Sequence, residues 1–152
     1  MTRNAKHALA TALIAALAVA GASVATSSMD VIKDRHEAME DVGDAMKKLG
    51  AIAKKEAPFD AGVVEKNAGI IAEALKKAAD LFPEGSDKGD VETWAKPEIW
   101  SDYADFEEKL GTAEAEAVAL QSVALETAFG PALGKLGNAC KACHKSYRRP
   151  KD

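Results

Sequence analysis

The sequence predicts an all-α fold, a four-helix bundle, and three observations carry that prediction. Apolar residues recur at alternating steps of three and four along four long stretches, almost nothing follows the period of two that marks a strand, and turn-forming clusters fall between the stretches. At 152 residues the chain is too short for two ordinary domains and long enough for one core of useful size.

Residues 1–25 stand apart from that core. Arg3 and Lys6 form a basic n-region, Ala8 to Ala20 an apolar h-region, and Ser23-Val24-Ala25 a small-residue cleavage site, so the segment reads as a secretory signal peptide. A membrane anchor is the competing reading, but the apolar run is alanine-rich and shorter than the roughly 20 residues a spanning helix needs. The expectation is export to the periplasm, a mature chain beginning near Thr26, and no membrane insertion after cleavage. Residues 26–152 then form the bundle domain.

The first helix is expected over Ser28 to Glu56, with Ile32, Arg35, Met39, Val42, Met46, Leu49 and Ala53 on one face. Asp60 is a plausible N-cap for the second, which carries Val64, Ala68, Ile71, Leu75, Ala78 and Phe82 and ends at Pro83. From Pro83 to Asp90 the chain is dense in turn formers and carries too many charges to be buried, so this is the one long loop, crossing between helix pairs. The third helix starts around Pro97, which a first turn tolerates, and continues through Trp100, Tyr103, Phe106 and Leu110 to about Glu126. Gly130-Pro131 breaks the pattern. A fourth helix is expected from about Pro131 to Arg148, with Leu133, Leu136, Cys140, Cys143 and Tyr147 on one side.

The formal charge is −4, and loss of residues 1–25 would remove two basic residues and no acidic one, leaving −6. Such a chain is a poor ligand for nucleic acid or an anionic membrane surface, both of which call for basic patches. The cluster Lys141, Lys145, Arg148, Arg149 and Lys151 is a local exception. It reads either as capping of a helix C-terminus against the macrodipole or as a docking patch.

The sharpest motif is Cys140-Lys141-Ala142-Cys143-His144, the Cys-x-x-Cys-His pattern of a c-type haem attachment site. On a helix, residues three and four apart share a face, so all three side chains can project towards one flat ligand. Two thiols adding across the two porphyrin vinyl groups give thioethers, and the His144 imidazole coordinates iron from the proximal side. Other uses of the motif suit it less. A disulfide between cysteines three apart on a helix has poor geometry. A thioredoxin-like pair belongs at a helix start after a strand. A structural zinc wants four ligands, and His36 is the one further histidine of the mature chain.

Two residues on the first helix bear on the same cofactor. Arg35 interrupts an apolar stripe, where a guanidinium is costly without a partner. A haem propionate would be such a partner; the alternatives are snorkelling to the surface or pairing with Glu37 or Glu40. Met39, one turn on, reads either as core packing or as the distal residue or sixth ligand of the iron.

With those residues in place, the chain resembles the class II c-type cytochromes, comprising cytochrome c′ and its low-spin relatives, over essentially the whole mature length. The resemblance rests on Cys140-Lys141-Ala142-Cys143-His144-Lys145-Ser146-Tyr147-Arg148 near the C-terminus and on Val31-Ile32-Lys33-Asp34-Arg35 leading to Met39. Leu49-Gly50-Ala51-Ile52-Ala53-Lys54 with Pro58, and Lys96-Pro97-Glu98-Ile99-Trp100, add to it. It implies a left-handed antiparallel four-helix bundle with one covalently attached haem c between the helices, often paired as a homodimer through the first two. By matching positions, His144 looks like the proximal iron ligand, Arg35 the propionate partner and Arg148 the basic residue one turn beyond the histidine.

Met39 falls where cytochrome c′ places the bulky residue that blocks the distal iron face and where the low-spin relatives place a ligating methionine. If it ligates, the haem is six-coordinate and the protein shuttles single electrons between periplasmic redox partners. If it only crowds the iron, the haem is five-coordinate and binds small gases such as nitric oxide or carbon monoxide. Leu49 to Pro58 is more similar to the low-spin branch, which makes electron transfer the expectation and gas binding the alternative. Enzymatic, peroxidase-type chemistry would want a distal acid or base. His36 is the one candidate, but it neighbours Arg35 and points about 100° away on an ideal helix, so a surface histidine and no catalytic role are expected.

Overall fold

The computed structural model describes residues 28–150; the expected signal peptide, its cleavage site and Lys151 lie outside the described residues. Five helices follow in order: α1 (Ser28–Ala53), α2 (Ala61–Ala79), α3 (Glu98–Ser101), α4 (Tyr103–Gln121) and α5 (Glu126–Tyr147). The long ones, α1, α2, α4 and α5, are the expected bundle, and α3 is a single turn leading into α4. Among the described residues β pairing amounts to one isolated bridge, Ala95 with Arg148.

The helix ends show what the pattern of apolar residues misses. α1 stops at Ala53, three residues before the expected end, because Lys55 takes a left-handed φ of 61°. Its N–H bonds Ile52 O at 3.0 Å and the Glu56 N–H reaches back to Ala51 O at 2.9 Å, the two bonds of a Schellman cap, made here without the usual glycine. Ala53, expected on the core face, is exposed. At α2 the expected cap is present: Asp60 Oδ1 accepts from Val63 N at 2.9 Å.

The expected third helix is split at Asp102, whose backbone (φ −135°, ψ 57°) leaves the helical region between α3 and α4. The larger departure is at the last turn between helices. α4 ends at Gln121 and α5 begins at Glu126, so Pro131 lies inside α5 instead of opening it. A proline there forfeits the hydrogen bond to Thr127 O. Phe129, 3 % exposed and packed against the Phe59 ring at 5.8 Å, is buried by the extra turn, and that burial offsets the loss.

Ile32, Leu49, Val64, Ile71, Ile99, Leu120 and Leu136 are fully or almost fully buried and mark the core. α2 packs along both α1 and α4, and α4 along α5, whereas α1 and α5 meet over a short stretch only. One seam of the bundle is therefore loosely closed, and it lies between the helix carrying Arg35 and Met39 and the helix carrying Cys140, Cys143 and His144. The loop from Leu81 to Lys96 lies close to one end of that seam. The loop is charged, as expected, yet Ser86 within it is 1 % exposed.

Candidate haem-attachment site

α5 sets the proximal side. Cys143 is buried within the core cluster, Cys140 is half-buried, and both are free thiols, which removes the disulfide reading. His144, next along the helix, is exposed. Burial pushes both thiols up, Cys143 to about 11 with the neighbouring Cys140 as a second cause, so they stand protonated at neutral pH. Although the residue as a whole is open to solvent, protein packed around the ring displaces water from it, and this desolvation, followed by the Arg148 charge, pushes the His144 imidazole down. The shift favours the neutral form, the one that can offer a lone pair to a metal. Among the described residues no group of three or more His, Cys, Asp or Glu could hold a metal by itself, so the four-ligand zinc reading finds no set of ligands.

Arg148 is the C-cap of α5: its N–H bonds His144 O at 3.1 Å, and its backbone bridges to Ala95. Lys96 N bonds Tyr147 O at 3.0 Å and Arg149 N bonds Trp94 O at 2.8 Å, so residues 94–96 strap the end of the motif-bearing helix. Tyr147, 6 % exposed, stacks edge-on against Phe106 at 5.4 Å and donates its hydroxyl to Asp105 Oδ2, while Lys109 donates to Asp105 Oδ1. The Lys109 and Tyr147 bonds hold the Asp105 carboxyl below the ordinary range, and the Asp105 bond followed by burial pushes the Tyr147 phenol up. This trio escaped the sequence reading; the signal was there in Asp105 and Lys109 standing four apart on one helix face.

α1 supplies the opposite wall. Arg35 is 5 % exposed and neither snorkels nor pairs with Glu37 or Glu40. Its Nε donates to Leu81 O at 2.6 Å, its Nη2 to Ser86 O at 2.8 Å and to Ser86 Oγ, and its guanidinium lies 4.5 Å over the Phe82 ring and 5.4 Å from that of Trp100. The buried loop serine thus exists to hold the arginine. Burial lowers the guanidinium to about 10, partly offset by Asp87, which leaves it fully charged at neutral pH. One of its nitrogens, Nη1, is buried without an acceptor. Met39 is half-buried at the edge of the core. His36, expected at the surface, is half-buried beside the Trp94 ring at 6.0 Å, with a buried Nε2 that finds no partner.

A covalent haem fits these residues. Two free thiols one turn apart, an adjacent neutral imidazole, a loosely packed seam facing α1, and a buried guanidinium nitrogen still in want of an anion are what a flat dianionic macrocycle would need.

Comparison with known proteins bears this out. The family model described as Cytochrome C' matches residues 30–148. The cytochrome c′ of Rhodopseudomonas palustris is 39 % identical over 142 residues, covering 92 % of this chain and 96 % of its own. A solved structure of cytochrome c′ from the same organism superposes with a TM-score of 0.77 at 36 % identity, over 81 % of this chain and 98 % of that one. The nitric oxide complex of a mutant cytochrome c prime from Alcaligenes xylosoxidans superposes with a TM-score of 0.73 at 29 % identity, over 83 % of this chain and 98 % of that one. The chain belongs to the cytochrome c′ family and carries the covalently bound haem c, with its iron, of that family.

Proposed function

We propose that this protein binds a small gas such as nitric oxide or carbon monoxide at the distal face of a five-coordinate haem. The supporting observation is its likeness to a cytochrome c prime solved with nitric oxide, which favours this reading over the electron carrier that the Leu49 to Pro58 stretch suggested. Cys140 and Cys143 would hold the macrocycle through thioethers, each thiol adding S–H across one vinyl double bond. His144 would ligate the iron from the proximal side, and Arg35 would direct its free Nη1 to a propionate. Loss of water around the ring and then the Arg148 charge lower the His144 pKa, which favours the neutral form that can ligate iron. Met39 would stand on the distal side as bulk, narrowing the space a ligand can enter. The haem supplies an iron with one open position, and the chain supplies its anchorage and its shielding from water. Export of the mature chain from about Thr26, and a homodimer through α1 and α2, belong to the same reading.

A second reading is carried by the chemistry of Met39 itself. Its thioether is a competent iron ligand, and occupation of the sixth site would make the protein a carrier of single electrons between periplasmic proteins. Optical spectra of the exported protein, oxidised and reduced, with and without carbon monoxide, separate the two. A broad high-spin spectrum that shifts on adding the gas supports gas binding; a sharp, split reduced spectrum indifferent to the gas overturns it in favour of Met39 ligation. Met39→Ala sharpens the answer. It opens the distal pocket with no change of spin state in the first case and converts low-spin to high-spin haem in the second.

A further inference from the structure

We propose that Tyr147, Asp105 and Tyr103 form an outlet through which a one-electron oxidation, started by hydrogen peroxide at the haem, is passed from the cofactor to solvent. Both tyrosines of the chain pack on a single ring, that of Phe106, with centroids at 5.4 Å for Tyr147 and 5.9 Å for Tyr103. The inner one starts beside the cofactor's anchor: Tyr147 stands one turn beyond Cys143 on the same buried face of α5. The outer one, Tyr103, is exposed and donates its hydroxyl to Ala79 O at 3.1 Å. Two oxidisable side chains therefore lead from the haem-attachment helix to water.

Tyr147 is equipped to lose an electron. Its hydroxyl donates to Asp105 Oδ2, and Lys109 fixes the same carboxylate through Oδ1. A phenol stripped of an electron is a strong acid, and a cation left at so buried a site would be costly. Asp105 takes the proton as the electron leaves, so the radical that remains is neutral. The oxidant enters where a gas would, since an iron open to nitric oxide is open to hydrogen peroxide as well, and the proposal rests on that open position. One peroxide takes up two electrons and two solvent protons and leaves as two waters. Iron(II), becoming iron(III), supplies one electron and Tyr147 the other, while the phenolic proton passes to Asp105. Tyr103 then gives an electron to Tyr147, which recovers its proton from Asp105, and the Tyr103 proton goes to water. A thiol in solvent restores Tyr103 by giving up a hydrogen atom. Trp100, reached from Phe106 through Phe82 at 4.7 and 5.9 Å, is the competing terminus. The Arg35 guanidinium, 5.4 Å from its ring, opposes a positive charge there, whereas Glu107 and Asp80 lie near Tyr103 and favour oxidation at that end.

The test is freeze-quench electron paramagnetic resonance of the ferrous, haem-loaded protein mixed with one equivalent of hydrogen peroxide, with ring-deuterated tyrosine to identify the signal. A tyrosyl radical is expected in the unsubstituted protein and its loss in Tyr147→Phe, whereas Tyr103→Phe should prolong a signal confined to Tyr147. Asp105→Asn should slow radical formation by about a hundredfold, the scale of a lost base. In Tyr147→Phe, haem bleaching and Met39 sulfoxide, read by mass, should both rise, because the second oxidising equivalent has lost its outlet. A purely structural trio would alter stability and leave bleaching and sulfoxide where they were, which would overturn the proposal. So would an undiminished radical in Tyr147→Phe, a tryptophanyl signal in its place, or consumption of peroxide with no radical at all. A haem spectrum that peroxide leaves unchanged would instead refute the open iron position. Met39→Ala, which frees the sixth site under either role of that residue, then decides the route by the same radical and its loss with Tyr147→Phe.

Discussion

The two sides of this bundle are built on different principles. Between α2 and α4 the contact is closed mainly by alanines and branched aliphatics, with Ala68, Ile71, Ala113, Ala117 and Leu120 all buried, so the backbones approach closely. Between α1 and α5 the facing residues are large or chemically active: Arg35, Met39, Cys140 and Cys143. The first side is closed by polypeptide packing, with one buried polar side chain, Asn67, whose Nδ2 bonds Val63 O within α2 and whose Oδ1 has no partner. The second is left with free thiols and an unsatisfied guanidinium nitrogen. A sequence that folds one half of a helical bundle by packing alone reserves the other half for a group that the ribosome does not supply.

The strongest way to break that contrast is to remove the thiols. Cys140→Ser with Cys143→Ser should abolish covalent attachment altogether, so that the denatured chain loses all haem absorbance and shows the mass of the polypeptide alone; retention of one haem mass would refute the assigned anchors. Next, truncating a buried aliphatic on the closed side should hurt stability far more than truncating the seam. Ile71→Ala should cost about 2–5 kcal/mol in denaturant unfolding of the holoprotein. Half-buried Met39→Ala should cost about half that or less, its main effect being spectral. Comparable losses at the two sites would mean that the seam is packed as tightly as the rest.

Arg35→Met keeps the length of the side chain and removes its charge. It leaves Leu81 O and Ser86 O without their donor, a loss of about 1–3 kcal/mol, while relieving a buried cation. If Arg35 pairs with a propionate, the reduction potential should also shift; a stability change with an unmoved potential would confine the residue to tying down the loop. The smallest effect is expected at Tyr147→Phe. Asp105 has a depressed pKa in the folded chain, so the stabilisation it brings is present above the ordinary value of 3.8 and disappears as pH falls through the lower folded value. Removing the Tyr147 hydroxyl lifts that folded value, so the variant should be slightly less stable at pH 7, with the gap narrowing below about pH 4. A gap independent of pH would show that the hydroxyl acts through its neutral acceptor, Asp102 O at 3.4 Å, and not through the Asp105 carboxylate.

Much of this was legible in the residues because the relevant signals are local. The apolar faces of α1 and α2, the Asp60 cap and the thiol-thiol-imidazole spacing depend on neighbours within a turn or two of the chain. What the sequence hid depends on contacts between distant segments. The Gly130-Pro131 pair looks like a helix start until Phe59 is seen receiving Phe129. Lys55 carries no mark of a left-handed cap, since glycine is the usual occupant. Arg35 could be recognised as anomalous, but that its anchor would be the carbonyls of Leu81 and Ser86, 46 and 51 residues away, could not. Similarly, Lys96 comes beside the end of α5 only through its backbone bond to Tyr147.

The strap also changes what kind of place the end of α5 is. The last turn of a terminal helix ordinarily frays, opening and closing with little regard to the rest of the fold. Here the amides of Lys96 and Arg149 are locked into a short two-stranded clasp around Tyr147 and Arg148, so the turn bearing His144 can open only when the segment before α3 lets go as well. Hydrogen exchange at these amides is then set by a cooperative event and not by end fraying. Residues 94–96 and 147–149 thereby act as a clamp that spares the His144 imidazole the fraying of a helix end.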